Sequence, residues 1–126
     1  MPASNYLDDA ILNATLTNTP YTGPATVYVA LYSVAPTKST SGTELSGSNY
    51  SRQSASFSVS TGVATSTASV AFGAASATWS TAVAWAILDD STGGNILYFG
   101  SLSPSQTVLN GNTLTFATGD ITVTMD

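Results

Sequence analysis

The sequence predicts a mainly β domain, an antiparallel two-sheet β-sandwich or jelly roll of about eight strands preceded by a short N-terminal helix. Three observations lead there. After residue 25, apolar and polar residues alternate with period two over most of the chain. Gly, Pro and Asn-Gly turn signals interrupt those runs at intervals of roughly 8–15 residues. A length of 126 residues, 43% of them hydrophobic, is enough for one core and one domain.

The helix comes first. Ser4 or Asn5 is a suitable N-cap, and Asp8 and Asp9 sit near the positive end of the helix dipole. Tyr6, Leu7, Ala10, Ile11 and Ala14 then recur at three- and four-residue spacing. The helix should end in the β-branched stretch 15–19, before Pro20. This divides the chain into an N-terminal helical arm, residues 1–20, and a β-sandwich domain, residues 21–126.

The strands follow in order. Residues 25–33 set Val27, Val29 and Leu31 against Tyr28, Ala30 and Tyr32, so this strand is apolar on both sides and needs cover on both faces or beneath the helix. A long polar loop, 34–48, is an excursion rather than a connection. Residues 52–60 and 64–72 each keep period two around Gly62. Residues 83–88 turn through 89–95 and return as 96–102, and Pro104 and Ser105 should turn the chain again. Residues 107–109 and 113–116 flank Asn110-Gly111-Asn112 and read as a close hairpin. Residues 121–125 close the domain.

Composition excludes most chemistry. Charged residues are only 7% of the chain, against roughly 25% in ordinary soluble domains. Lys38 and Arg52 are the only basic residues in a net charge of −5. A phosphate backbone or an anionic membrane needs a cluster of cations, so no nucleic-acid or membrane partner is expected. The longest apolar runs, 27–32 and 82–88, are far short of the roughly 20 residues that span a bilayer. Without Cys or His there is no thiol nucleophile, disulfide, imidazole base or usual zinc ligand.

The remaining candidates are weak. Asp89 and Asp90 are adjacent, which suits a solvated hairpin tip better than a pair of facing catalytic carboxylates. The 89–95 turn places oxygen ligands at alternate positions as a calcium loop does, but Gly100 stands where the bidentate acid belongs. Tyr21, Tyr28, Tyr32, Tyr50, Trp79, Trp85, Tyr98 and Phe99 could form a sugar platform, yet their alternation within strands favours packing. Arg52 is either an ordinary surface residue or one half of an ion pair with Glu44 or with an acidic neighbour across a subunit boundary. No enzyme activity, cofactor, metal or small-molecule substrate is expected.

Several segments match a known pattern together: Ala3-Ser4-Asn5-Tyr6-Leu7, Val27-Tyr28-Val29-Ala30-Leu31-Tyr32, Tyr50-Ser51-Arg52-Gln53, the run from Gly93 to Gly100, and the run from Gly119 to Asp126. Through them the chain resembles a family of small tailed-bacteriophage virion proteins, labelled tail-fibre-like and in some phages serving as capsid cement or decoration. The resemblance covers nearly the whole chain and is thinnest over loop 34–48. It implies a structural protein, made in the host bacterial cytoplasm and located in the virion.

The expected role is a cement or decoration protein on the capsid surface, bridging major capsid protein subunits. The alternative is a tail-associated fibre or adaptor component. Sheet edges with few charged guards point to self-association, expected as a homotrimer. A helix this short must dock to persist. With the β-domain looking complete from Ala25, the arm is expected to bind a partner through Tyr6, Leu7, Ala10 and Ile11, the alternative being that it docks on its own sandwich.

Overall fold

Strands β1 (Val27–Val34) and β7 (Ala82–Leu88) lie at the centre of the main sheet because both are apolar on both faces. The computed structural model describes residues 3–124. β1 pairs antiparallel with β7 from Tyr28↔Leu88 to Tyr32↔Ala84. One face of the pair sends Val29, Leu31, Trp85 and Ile87 into the core between the layers. The other presents Ala30, Tyr32, Ala84, Ala86 and Leu88, against which Val83, Ile96 and Phe99 pack. β8 (Ile96–Gln106) flanks β7, while β2 (Thr43–Glu44) and β3 (Gln53–Ala55) share the far side of β1.

The second layer consists of smaller pieces. β4 (Phe57–Ser60), β5 (Val63–Ser66) and β10 (Thr122–Thr124) form one antiparallel sheet in the order β10-β5-β4, and β6 (Val70–Ala71) pairs with β9 (Thr115–Phe116). Phe72, Trp79, Val108, Ile121 and Val123 fill the space between the layers. The architecture is sandwich-like and mainly β, as expected, with ten strands.

The larger strand number has two sources, since β2 forms inside the expected loop 34–48 and two expected strands divide, while 107–109 forms no strand. The expected strand 52–60 breaks at Ser56, so β3 stays with β1 while β4 crosses to β5. The expected strand 64–72 likewise divides between β5 and β6, and sheets are exchanged at these corners. Two further expectations need correcting. β8 runs on through Pro104 instead of turning there, and a register irregularity between Ala82↔Gln106 and Ala84↔Ser101 accommodates the proline's missing N–H. Asn110-Gly111 does form a tight turn, with Gly111 at φ 84°, but not between paired strands. Val108 accepts from the Trp79 amide, Gly111 and Asn112 bond to Ala75, and β9 pairs with β6. Burial of the Trp79 indole, whose Nε1 donates to the Ser48 carbonyl at 2.8 Å, outweighs the local hairpin preference. Of the expected closing strand, Met125 lies outside the described residues.

α1 (Asn5–Leu16) begins at Ser4, whose Oγ accepts from the Leu7 amide at 3.2 Å and donates to the Ile96 carbonyl. It ends at Thr17, and Asn18 at φ 57° turns the chain towards Pro20. Its seat is a β-bulge. Ile96 pairs with Leu88 and Tyr98 with Ile87, leaving Leu97 as the extra residue in β8. The Leu97 carbonyl accepts from the Ser4 amide at 3.0 Å, and its side chain packs against Ala3 and Leu7 with Ile11, Tyr21, Val27 and Tyr98 around them. Leu7 is 4% exposed. Contacts therefore cross the boundary placed at residue 20, and the first turns of the helix dock on the chain's own sheet.

Leu7→Ala removes buried methyl groups from this seat and should cost about 2–4 kcal/mol in urea unfolding. Leu12→Ser, on the exposed side of the same helix, should stay within about 0.5 kcal/mol of the parent. Equal costs for the two would contradict this packing.

Candidate interaction surfaces

Four parts of the chain meet at one carboxylate. β2 places Glu44 opposite Tyr32 of β1. Arg52, just ahead of β3, reaches Glu44 with a two-pronged grip, Nε to Oε2 at 2.9 Å and Nη2 to Oε1 at 2.9 Å. The third nitrogen, Nη1, donates to the carbonyls of Asp90 and Gly93, each at 2.8 Å. Tyr50 completes the cluster: its hydroxyl donates to Glu44 Oε2 at 2.7 Å and accepts from the Leu31 amide at 3.0 Å. Of the readings open for Arg52, the ion pair to Glu44 within the chain is the one observed. Its side chain is only 10% exposed, so the planar fork is held in a partly desolvated place where a lysine could not reproduce it.

The turn that Arg52 grips is itself fixed. Asp89 Oδ1 accepts from the Asn95 amide at 2.7 Å and Oδ2 from the Asn95 side chain at 3.1 Å. Gly94 sits at φ 73°, and a Cβ there would lie 2.5 Å from Asp89 Oδ1, so both backbone conformation and space demand glycine. Two other carboxylates are also in local structural use. Asp8 pairs with Lys38 at 2.6 Å, and Asp120 Oδ2 accepts from the Ala117 amide at 3.0 Å. Among the described residues, no three His, Cys, Asp or Glu side chains gather as a metal site.

Lys38 does work that its place in a polar loop did not signal. Its Nζ donates to the Ala3 carbonyl at 2.7 Å, and its own carbonyl accepts from the Asn5 amide at 2.9 Å. The loop 34–48 is thereby tied to the start of α1. With residues 4–6 and 93–96 it borders a polar depression of about 630 Å³ over Tyr32, Leu88 and Ile96. Gly42, at φ 62°, packs its backbone against the Val34 carbonyl, closing the loop on itself.

The aromatic residues are mostly packing groups. Tyr50 stacks on Phe72 with ring centroids 6.0 Å apart and meets Trp79 edge-on at 5.5 Å. Tyr32, Trp79 and Trp85 are buried. Burial, with help from the Glu44 charge and against that of Arg52, pushes the Tyr32 hydroxyl up to about 12. Burial also raises Tyr50, with the hydrogen bond to Glu44 adding to the rise.

The expected partner-binding residues divide by helix face. Leu7 and Ile11 face the chain's own sheet and Ala10 is half-buried, whereas Tyr6 is 44% exposed. The large exposed apolar side chains of the helix also include Leu12 and Leu16, one turn apart on the face opposite Leu7. An outer apolar strip on this short helix thus runs along a line that the inward stripe obscured in the sequence.

The profile of the family described as podophage GP4 fiber I protein gp80 matches residues 2–124. The chain belongs to that family. A search of curated proteins returns no match. Membership makes this a structural protein of a tailed-phage virion with a β-rich fold, and points away from catalysis. The segments that carried the resemblance in the sequence fall on the helix cap at Ser4, central β1, the Tyr50–Arg52 grip, the turn that receives it with the start of β8, and β10, of whose run Met125 and Asp126 lie outside the described residues.

Raised tyrosine hydroxyls make stability depend on alkaline pH. The folded chain holds these protons at pH values where the unfolded chain, titrating near 10, has released them. The contribution is complete below about pH 10 and is lost as pH rises through about 12. Thermal unfolding followed from about pH 9 to about pH 11.5 should show a falling Tm. Tyr50→Phe should flatten that fall, while costing about 1–3 kcal/mol at neutral pH because Glu44 and the Leu31 amide each lose a partner.

Proposed function

We propose that the protein is a non-catalytic component of a phage tail appendage, joining a fibre-type assembly to a neighbouring virion protein. The observation that carries this reading is the family profile, which spans residues 2–124 and bears the description of a fibre protein. The fold supports a joint or knob rather than a shaft: one sandwich with its helix packed on it. The surface offered to the neighbour is the outer face of α1, with Tyr6, Leu12 and Leu16 exposed beside half-buried Ala10. Both cations of the chain are already held in ion pairs, so the docking face offers apolar contact rather than free positive charge.

A second reading is favoured by one feature, the absence of a repeating or elongated element in a chain of this length. A compact sandwich of this kind also suits a cement or decoration protein that bridges major capsid protein subunits on the head surface. The two roles differ in place and number.

Gold-labelled antibody on intact virions, with copy number from quantitative mass spectrometry, separates them. The appendage reading expects label at the tail and about a dozen copies or fewer, as one symmetric vertex allows. Label spread over the head at hundreds of copies overturns it in favour of the cement role.

A further inference from the structure

From Gln53 to Leu88 the sequence holds no charged residue. Within that stretch, β4 is the outer strand of its sheet, bonded to β5 on one side only. The β4–β5 hairpin turns through Thr61 at φ 55° and Gly62 at φ 77°, a two-residue loop of the type that matches strand twist. The Thr67 amide bonds to the Ser56 carbonyl at 2.9 Å, which fixes which residues exchange hydrogen bonds across the hairpin. Ser56, Ser58 and Ser60 point their backbone groups at β5, so the N–H and C=O of Phe57 and Val59 point outward along the free edge.

Several other edges of the fold are short or guarded. β8 has its first outward groups taken by Ala3 and Ser4, and it carries Pro104 further on. β2 is two residues long and β10 three. β4, at four residues, is longer than these and carries no Lys, no Pro and no bulge. It also carries Val59, a β-branched side chain that is 76% exposed on the same strand face as Phe57. Both line an apolar groove of about 630 Å³ that continues to Val27, Ile87, Leu97 and Tyr98.

We propose that β4 is a self-association edge, taking the β4 strand of a second copy of this chain in antiparallel register about a two-fold axis at Ser58. A second copy is the occupant the edge fits because the strand is self-complementary. Centred on Ser58, Phe57 of each copy lies opposite Val59 of the other, and these are the residues with outward-facing N–H and C=O groups. Exposed Val59 then packs beside the phenyl ring of the other copy. With no charge between residues 53 and 88, like charge does not oppose the approach although each chain carries a net −5. The symmetry is two-fold, where the sequence alone suggested three-fold. Four residues of strand bury well under the roughly 1,200 Å² of a stable interface, so the pair is weak and concentration-dependent in solution. This inference does not depend on where in the virion the protein sits.

The chain has no cysteine, which gives a register-specific test. In Ser58→Cys, the two thiols face each other across a non-hydrogen-bonded pair with Cα atoms about 4.5–5.5 Å apart, within disulfide reach. In Ser60→Cys, on the same strand face, they are displaced by about 13 Å along the strands. Under mild oxidation of the full chain, S58C should form disulfide dimers at least tenfold faster than S60C. Adding Val59→Lys, at a site open enough to leave folding intact by circular dichroism, should remove that difference. Equal rates for S58C and S60C, no dimer from S58C with its thiol reactive, or a sedimentation trimer for the unmodified chain would each overturn the proposal.

Discussion

The rest of the fold depends on one constraint: β1 and β7 are apolar on both faces, so the main sheet has to be covered twice. One cover is the second layer, with Phe72, Val70, Trp79 and Val123 packed against Val29, Leu31, Trp85 and Ile87. The other face is filled from within by pairing alanines with large neighbours, Ala30, Ala84 and Ala86 lying among Tyr32, Leu88 and Phe99. Its rim is closed by residues 4–6 and the long loop, which Lys38 ties together. The loop and residues 4–6 border that face, while Leu7 and Ile11 of the helix pack beside Leu97, Val27 and Tyr98.

Scarcity of charge gives each ionic group a defined place. Nine charged side chains serve 126 residues, and both cations tie parts of the fold together, partly buried Arg52 on Glu44 and a turn, exposed Lys38 on Asp8 and the helix start. Neither pair is a surface ornament, because each joins segments far apart in sequence through backbone carbonyls as well as carboxylates. The same economy leaves the exterior to Ser, Thr and a few apolar side chains. Such a surface suits a protein whose neighbours in a virion are fixed, since it is solubility at high concentration, rather than assembly, that demands charge.

Much of the architecture was legible in the sequence. Period two identified every main strand, and the two-sided apolar pattern at 25–33 identified the sheet's centre. The helix was placed to within a residue at its start because Ser4 has the side chain a cap needs. Two things were not legible. Strand breaks at Ser56 and between Ser66 and Val70 leave no mark in an unbroken alternation, because a chain can change sheets without changing period. The docking of Leu7 depends on a bulge at Leu97, ninety residues away, and no local pattern announces which residue of a strand is extra. For the same reason the sequence groups Tyr6, Leu7, Ala10 and Ile11 as one partner-binding stripe, whereas in the fold Leu7 and Ile11 face the chain's own sheet and Tyr6 is exposed, as are Leu12 and Leu16. Glu44–Arg52 was among the pairings the sequence allowed; the part of Tyr50 in it was not visible.

The central claim, that helix start and loop belong to the same cooperative unit as the central strands, is tested most directly by native-state hydrogen exchange. The amides of Ser4, Asn5 and Asp8 bond respectively to Leu97, Lys38 and Ser4 carbonyls, while Ala30 and Ala86 pair at the centre of the sheet. If the two-sided cover is integral, those three amides open with free energies within about 1 kcal/mol of Ala30 and Ala86, through global unfolding. Exchange at Ser4, Asn5 and Asp8 through a local opening several kcal/mol cheaper, with the sheet still protected, would contradict it.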